Sequence, residues 1–84
     1  MKIEKLCGMI ERFLAGEYDP LRFSVEFPHA LVVYGDEAER ENPRAIELLE
    51  WNFPEICDEY ERGDDPEPFR KRVAEEYERV KADI

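Results

Sequence analysis

The sequence predicts an all-α fold, a four-helix antiparallel bundle that forms a single domain over residues 1–84. Apolar residues recur at spacings of three and four along four segments, which is typical of helices that bury one face. Three of these segments begin with an acidic or amide residue followed by proline: Asp19-Pro20, Asn42-Pro43 and Asp65-Pro66. Such a side chain caps free backbone amides, and proline suits the first helical turn. Short links between amphipathic helices then indicate a helical bundle.

The first predicted helix covers residues 2–17. Its apolar stripe consists of Ile3, Leu6, Cys7, Ile10, Phe13 and Leu14. Gly16 lies near its end, where a left-handed residue commonly terminates a helix.

The second predicted helix starts at Pro20 and contains an internal proline. Its stripe consists of Phe23, Phe27, Ala30, Leu31 and Tyr34. Pro28 interrupts this run, so a kink or a break is expected there. A short strand over residues 31–34 is the alternative, because Val32 and Val33 favour β-structure. An isolated strand has no partner, which favours the helix.

The third and fourth predicted helices follow an acidic connection over residues 35–42. The third covers residues 43–61, and its stripe passes through Pro54 without losing phase, which predicts a kinked helix. Residues 63–65 form a loop, and Asp65 caps the fourth helix. The stripe of the fourth helix consists of Phe69, Val73, Tyr77, Val80 and Ile84.

The net charge of the chain is confined to its middle third. Residues 35–67 contain thirteen acidic residues and three arginines, a balance of −10 that equals the net charge of the whole chain. Such a concentration repels nucleic acid and anionic membranes, and it attracts a basic partner over long range. A charged surface kept for solubility is the alternative interpretation.

The side chains that could carry chemistry are few, so no enzymatic activity, no cofactor and no metal site are expected. The only histidine, His29, has no evident orienting acid, and the only serine is Ser24. The acids between Asp58 and Glu67 do not fit a calcium loop, although a metal-dependent hydrolase built on them is a third, less favoured hypothesis.

The two cysteines and the apolar segments suggest a cytoplasmic protein. Cys7 and Cys57 have neither CxxC spacing nor histidine companions, which argues against a zinc site. Two buried thiols are favoured over a disulfide. No segment approaches the roughly 18 apolar residues that a membrane span needs. The first apolar stretch is interrupted by Glu4 and Glu11, and a signal peptide would not tolerate these charges.

One acidic surface is the candidate binding site. Trp51 lies off the buried arc of the third helix, where it either anchors a partner or fills a seam against another helix. The predicted partner-binding residues are Asp36, Glu37, Glu39, Glu47, Glu50, Trp51, Asp58, Asp64 and Asp65. The expected partner is a basic protein, and the chain itself is expected to be a monomer or a weak dimer.

The chain resembles a known bacterial family over residues 5–80. The residues that carry the resemblance are Lys5-Leu6-Cys7, Ile10 through Glu17, Arg22-Phe23, Glu26-Phe27, Ile46, Leu49, Pro54 through Glu61, Phe69, Val73 and Tyr77. In their lengths and hydrophobic spacing they resemble the colicin-D-type self-protective immunity proteins. The resemblance implies a four-helix bundle that binds and blocks the basic cleft of a tRNA-cleaving toxin domain. A small helical interaction module or accessory subunit without a toxin partner is the alternative.

Overall fold

Three of the four helices begin at a proline that follows a capping side chain, as the sequence predicts. The computed structural model describes all 84 residues and contains four helices and no strand: α1 (Lys2–Leu14), α2 (Pro20–Glu41), α3 (Pro43–Glu59) and α4 (Pro66–Lys81). The carboxylate of Asp19 accepts a hydrogen bond from the Arg22 N–H at 3.0 Å. The side-chain oxygen of Asn42 likewise accepts a hydrogen bond from the Ala45 N–H of α3 at 3.1 Å. That of Asp65 accepts one from the Glu67 N–H of α4, also at 3.1 Å.

The end of α1 is set by Gly16. Its backbone has φ +81°, and its N–H donates to the carbonyl of Phe13 at 3.1 Å. The N–H of Glu17 reaches back to the carbonyl of Arg12 at 2.9 Å. This pair of bonds is a Schellman motif, so the helix stops before residue 17, the end predicted from the sequence.

The predicted connection over residues 35–42 is wrong, because α2 continues through it to Glu41 and only Asn42 separates α2 from α3. Gly35 and Ala38 are both buried, and they extend the buried stripe of α2 with small side chains. A Cβ at Gly35 would lie 3.2 Å from Oε1 of Glu50, so a glycine here permits close packing of α2 on α3. The sequence pattern missed this segment because small residues carry little hydrophobic signal.

Both internal prolines lie within continuous helices. Pro28 does not break α2, and the alternative strand over residues 31–34 is helical as well. Pro54 lies inside α3 in the same manner. Because proline has no N–H, the carbonyl four residues before each of them lacks its usual helical donor.

Contacts between helix ends establish the antiparallel topology. The carboxylate of Glu41 at the end of α2 accepts hydrogen bonds from the first amides of α1. The Asn42 side chain at the start of α3 donates to the carbonyl of Asp83 just beyond α4 at 3.0 Å. At the other end of the bundle, Arg70 in α4 lies over the ring of Phe13 in α1. Neighbouring helices therefore run in opposite directions around the bundle.

The core is one cluster of twenty buried apolar residues with an aromatic end. Phe23 stacks on Phe13 and Phe27, with ring centroids 4.3 and 5.0 Å apart. Tyr60 has an extended backbone, so α3 ends at Glu59 and not at the predicted residue 61. The Tyr60 ring stacks on Phe69, with ring centroids 4.7 Å apart. Ile84 is 65% exposed beyond the end of α4, and its predicted place in the buried stripe is wrong.

Replacing Glu41 with glutamine should lower the free energy of unfolding near neutral pH. The amides of Ile3 and Lys2, at 3.0 and 3.1 Å, hold the pKa of the Glu41 carboxyl below its ordinary value. A lowered folded-state pKa means that the stabilisation is present above the unfolded-state pKa and is lost as the pH falls through the folded-state value. The free energies of unfolding of the two proteins, measured in urea, should therefore differ at about pH 7 and become equal as the pH falls to about 3.

Glu37 provides the control for this prediction. It lies one turn before Glu41 in α2 and makes no hydrogen bond to α1. Glu37→Gln should leave the free energy of unfolding nearly unchanged. An equal loss in both variants, or a loss in Glu41→Gln that does not depend on pH, would contradict the capping role.

Candidate protein-binding face

Most acids on α4 are neutralised within their own helix. Glu67, Glu76 and Glu78 each pair with a basic residue three positions later. Pairs at this spacing are neighbours on a helix surface. The surface of α4 therefore exposes little unbalanced charge, even though four of its side chains are acidic.

The acids on the outer surface of α2 and α3 are mostly unpaired. We refer to the exposed surface of residues 25–39 and 47–58, without the flank of α2 that faces α1, as the α2–α3 face. Its unpaired acids, none of which has a basic nitrogen within 4.0 Å, are Asp36, Glu39, Glu50, Glu55 and Asp58. Glu47 is the exception and pairs with Arg44 at 3.5 Å. Arg40 lies one turn after Asp36 but outside ion-pair distance.

Helix register brings these acids together. Glu50, Pro54 and Asp58 follow one another at intervals of four on the flank of α3 that meets α2. The Glu50 carboxylate lies beside Gly35 of α2, where a Cβ would come within 3.2 Å of its Oε1. Nearer the start of α2, an open groove of about 590 Å³ lies between the two helices. It is lined by Ser24, Val25 and Pro28 of α2 and by Pro54, Glu55 and Asp58 of α3. Asp36 and Glu39 border a second shallow depression together with Arg40 and Pro43.

Trp51 lies at the centre of the outward surface of α3. Its side chain is 74% exposed, so it does not fill a seam between helices. It is one turn after Glu47 and two turns before Asp58, and both of these acids are exposed. On the side of α3 towards α4, Trp51 lines a shallow depression whose other residues are Arg44, Glu47, Leu48, Asn52, Glu76 and Arg79. A large exposed aromatic side chain is the type of residue that anchors protein interfaces.

Three predicted site residues lie away from this face. Glu37 lies on the flank of α2 that carries Glu41 and faces α1. Asp65 caps α4, and the carboxylate of Asp64 accepts a hydrogen bond from the Glu61 N–H at 2.9 Å. Asp64 and Asp65 therefore stabilise the turn between α3 and α4.

The sequence pattern missed several members of the face. Val25 and Val32 are 66% and 81% exposed on α2, and Glu55 is exposed on α3. The sequence pattern of α2 identified only its apolar stripe, which lies on the buried side of that helix. A mapping of the exposed positions of α2 onto a helical wheel through residue 41 would have found the two valines.

The buried titratable groups lie away from the α2–α3 face. In a cleft between α1 and α4, the Tyr77 hydroxyl donates a hydrogen bond to the Glu11 carboxylate. Burial raises the pKa of the Cys7 thiol, which lines the same cleft, and raises the pKa of Cys57 to about 12. A thiol with a raised pKa is a poor nucleophile at neutral pH.

Cys57 should therefore resist alkylation more strongly than Cys7. Both are buried free thiols, so the disulfide alternative is wrong, but only Cys7 borders an open cleft. In iodoacetamide labelling followed by mass spectrometry, we expect native Cys57 to react at least about tenfold more slowly than native Cys7, and both to react rapidly in urea. Rapid labelling of both thiols in the native protein would contradict the buried arrangement.

Other classes of site find little support in the geometry. No three His, Cys, Asp or Glu side chains lie close enough together to bind one metal ion. His29 is exposed on the outer surface of α2 and makes no hydrogen bond with its side chain. None of the four helices has the length and apolar character that crossing a membrane would require.

Searches of protein-family models, of curated proteins and of solved structures find no match for this chain. The function of the α2–α3 face must therefore follow from its own residues.

Proposed function

We propose that this protein is an inhibitor of the immunity-protein type, which binds and blocks the basic active site of a tRNA-cleaving bacterial toxin domain. The observation that supports this most strongly is the set of five unpaired acids on the α2–α3 face. A site that cleaves RNA must attract the phosphate backbone with basic residues. A surface of free carboxylates competes for those same residues.

Charge arranged in this way favours rapid and selective capture of a basic partner. Complementary potentials steer association to about 10⁸–10⁹ M⁻¹s⁻¹ at low salt, and close charge pairs contribute a few kcal/mol each in such complexes. The ion pairs on α4 leave less free charge there, so a basic partner is directed towards α2 and α3. The similarity in helix pattern to the colicin-D-type immunity proteins points to the same class of partner.

A helical interaction module without a toxin partner is the second candidate. The exposed Val25, Val32 and Trp51 favour it, because purely electrostatic capture does not require apolar side chains. Both candidates use the α2–α3 face, and they differ in whether the partner is a nuclease.

A cleavage assay distinguishes the two candidates. A basic nuclease domain encoded beside this gene would be purified and incubated with tRNA, alone and with increasing amounts of this protein. The proposal predicts that an equimolar amount abolishes cleavage. If cleavage continues at excess inhibitor, or if no nuclease is encoded there and a different basic protein binds, the interaction module is correct and the toxin-inhibitor proposal is wrong.

A further inference from the structure

The two prolines inside helices line the same groove. The other four prolines of the chain lie in the first turns of α2, α3 and α4, where a backbone N–H would have no helical partner. Pro28 and Pro54 lie in helix interiors, where proline is the least favourable residue. Both line the open groove between α2 and α3. Two such residues from different helices at one place favour a role beyond folding.

The groove contains negative charge and no cation. Its six lining residues are Ser24, Val25, Pro28, Pro54, Glu55 and Asp58. Glu55 and Asp58 are exposed, and neither carboxylate has a basic nitrogen within 4.0 Å. Arg22, which precedes the groove by one turn of α2, is paired with Glu26 at 3.1 Å. The two carboxylates of the groove are therefore not neutralised by an ion pair within the protein.

Ser24 adds hydrogen-bond acceptors to the groove. It is only 8% exposed, and the other buried side chains belong to the apolar core cluster. Its hydroxyl donates to the carbonyl of Leu21 at 2.7 Å, so the hydroxyl oxygen has only lone pairs left to offer. Its own carbonyl lacks the usual helical donor, because Pro28 follows four residues later. The polar side chains of the groove therefore offer acceptors and no free donor.

A guanidinium group has the chemistry that matches this groove. It has five N–H donors and no acceptor, and it forms paired hydrogen bonds with carboxylates. It is weakly hydrated, so its flat faces and its aliphatic stem can pack on Val25, Pro28 and Pro54. A lysine ammonium group is more strongly hydrated and has no planar fork of donors. The groove therefore favours arginine over lysine.

Other occupants match the groove less well. Nucleic acid and anionic lipid are repelled by its two carboxylates. A metal ion is disfavoured, because no three His, Cys, Asp or Glu side chains of the protein lie close enough together to bind one. A second copy of the chain carries the same net charge of −10, which opposes its approach.

We infer that the groove between α2 and α3 binds an arginine side chain of the protein partner, with the guanidinium group on Glu55 and Asp58 and the stem between Pro28 and Pro54. This inference rests on the proposed function and names the residue that the partner contributes. Arginine also binds the phosphate groups of RNA in a planar, paired geometry. An arginine held in the groove is therefore withdrawn from the RNA substrate.

Two small probes of equal charge test the inference by nuclear magnetic resonance titration of the ¹⁵N-labelled protein at low salt. They are acetyl-arginine methylamide and acetyl-lysine methylamide. The arginine probe should shift the amides of residues 24–27 and 55–58, and it should bind at least about threefold more tightly than the lysine probe. Equal affinity for the two probes, or shifts centred elsewhere, would overturn the inference. Calcium chloride is the third probe, and tighter binding of calcium at the same amides would make the groove a metal site instead.

Matched variants test the role of the groove residues. Asp58→Asn should weaken binding of the arginine probe at least about fivefold, because it removes a charged acceptor. Glu39→Gln is the control, since Glu39 is an unpaired acid of the same face that lies outside the groove. Equal affinity of these two variants for the arginine probe would contradict the inference.

The proline itself is tested by Pro28→Ala. This variant restores the N–H that the Ser24 carbonyl lacks and removes the ring from the groove wall. It should bind the arginine probe about threefold more weakly, while the melting temperature does not fall. Unchanged binding would show that Pro28 is not part of an arginine site.

Failure of the inference is distinguishable from failure of the proposed function. If the nuclease domain is inhibited equally well by the Asp58→Asn and Glu39→Gln variants, the inference fails and the proposed function stands. If the arginine probe binds as predicted but no nuclease is inhibited, the proposed function fails and the arginine-binding groove stands.

Discussion

Replacing Phe23 with alanine is expected to lower the free energy of unfolding by about 3–5 kcal/mol. The side chain of Phe23 is fully buried, and its ring packs on Phe13, Phe27 and, edge to face, Tyr18. The substitution removes the ring that joins α1 to α2 and leaves a cavity between them. A domain of this length has a total stability of about 4–13 kcal/mol. Thermal unfolding followed by circular dichroism should show a melting temperature lower by roughly 15 °C or more.

Two further variants bracket this prediction. Phe23→Leu keeps most of the apolar volume and should cost clearly less than the alanine variant. Val32→Ala removes an exposed side chain and should change stability within about 0.5 kcal/mol. A Phe23→Ala protein as stable as the Val32→Ala protein would mean that the aromatic cluster does not hold the bundle together.

Reversing three charges on the α2–α3 face should abolish partner binding while the fold persists. Lysine at Glu47, Glu50 and Asp58 replaces attraction of a basic surface by repulsion, and all three side chains are exposed. Association should slow by about 10–10³-fold at low salt and become less sensitive to ionic strength. Stopped-flow or surface-plasmon measurements with the basic nuclease domain would give this rate.

A second triple variant controls for net charge. Lysine at Glu4, Glu17 and Glu75 changes the total charge by the same amount, and these exposed acids lie outside the α2–α3 face. This variant should retain most of the affinity. If both variants lose binding equally, total charge alone governs association, and if neither loses binding, the acidic face is only a solvated surface.

The elements that the sequence predicted correctly are those with strong local signals. The Asp-Pro and Asn-Pro starts of α2, α3 and α4 were correct because the cap and the proline act on adjacent residues. The end of α2 was predicted incorrectly. Gly35 and Ala38 are buried by contact with α3, and this tertiary packing holds an acidic, glycine-containing segment in a helix.

The site was predictable in outline from charge alone. Glu47, Glu50 and Asp58 lie on the exposed side of α3, which helical periodicity already suggested. Asp36 and Glu39 lie on the exposed side of α2, although the sequence placed them in a connection. The turn acids Asp64 and Asp65 were grouped with them by sequence proximity, although their carboxylates bind backbone amides. The exposed valines Val25 and Val32 were missed because the sequence pattern of α2 is dominated by its buried apolar stripe.

The most direct test of the binding face is a nuclear magnetic resonance titration of the ¹⁵N-labelled protein with the unlabelled basic nuclease domain. Amide shift changes should concentrate in residues 25–39 and 47–58, together with the Trp51 indole N–H, and should be weak on the outer surfaces of α1 and α4. Changes centred on α1 and α4, with the Trp51 indole unaffected, would contradict the assignment of the α2–α3 face as the partner-binding surface.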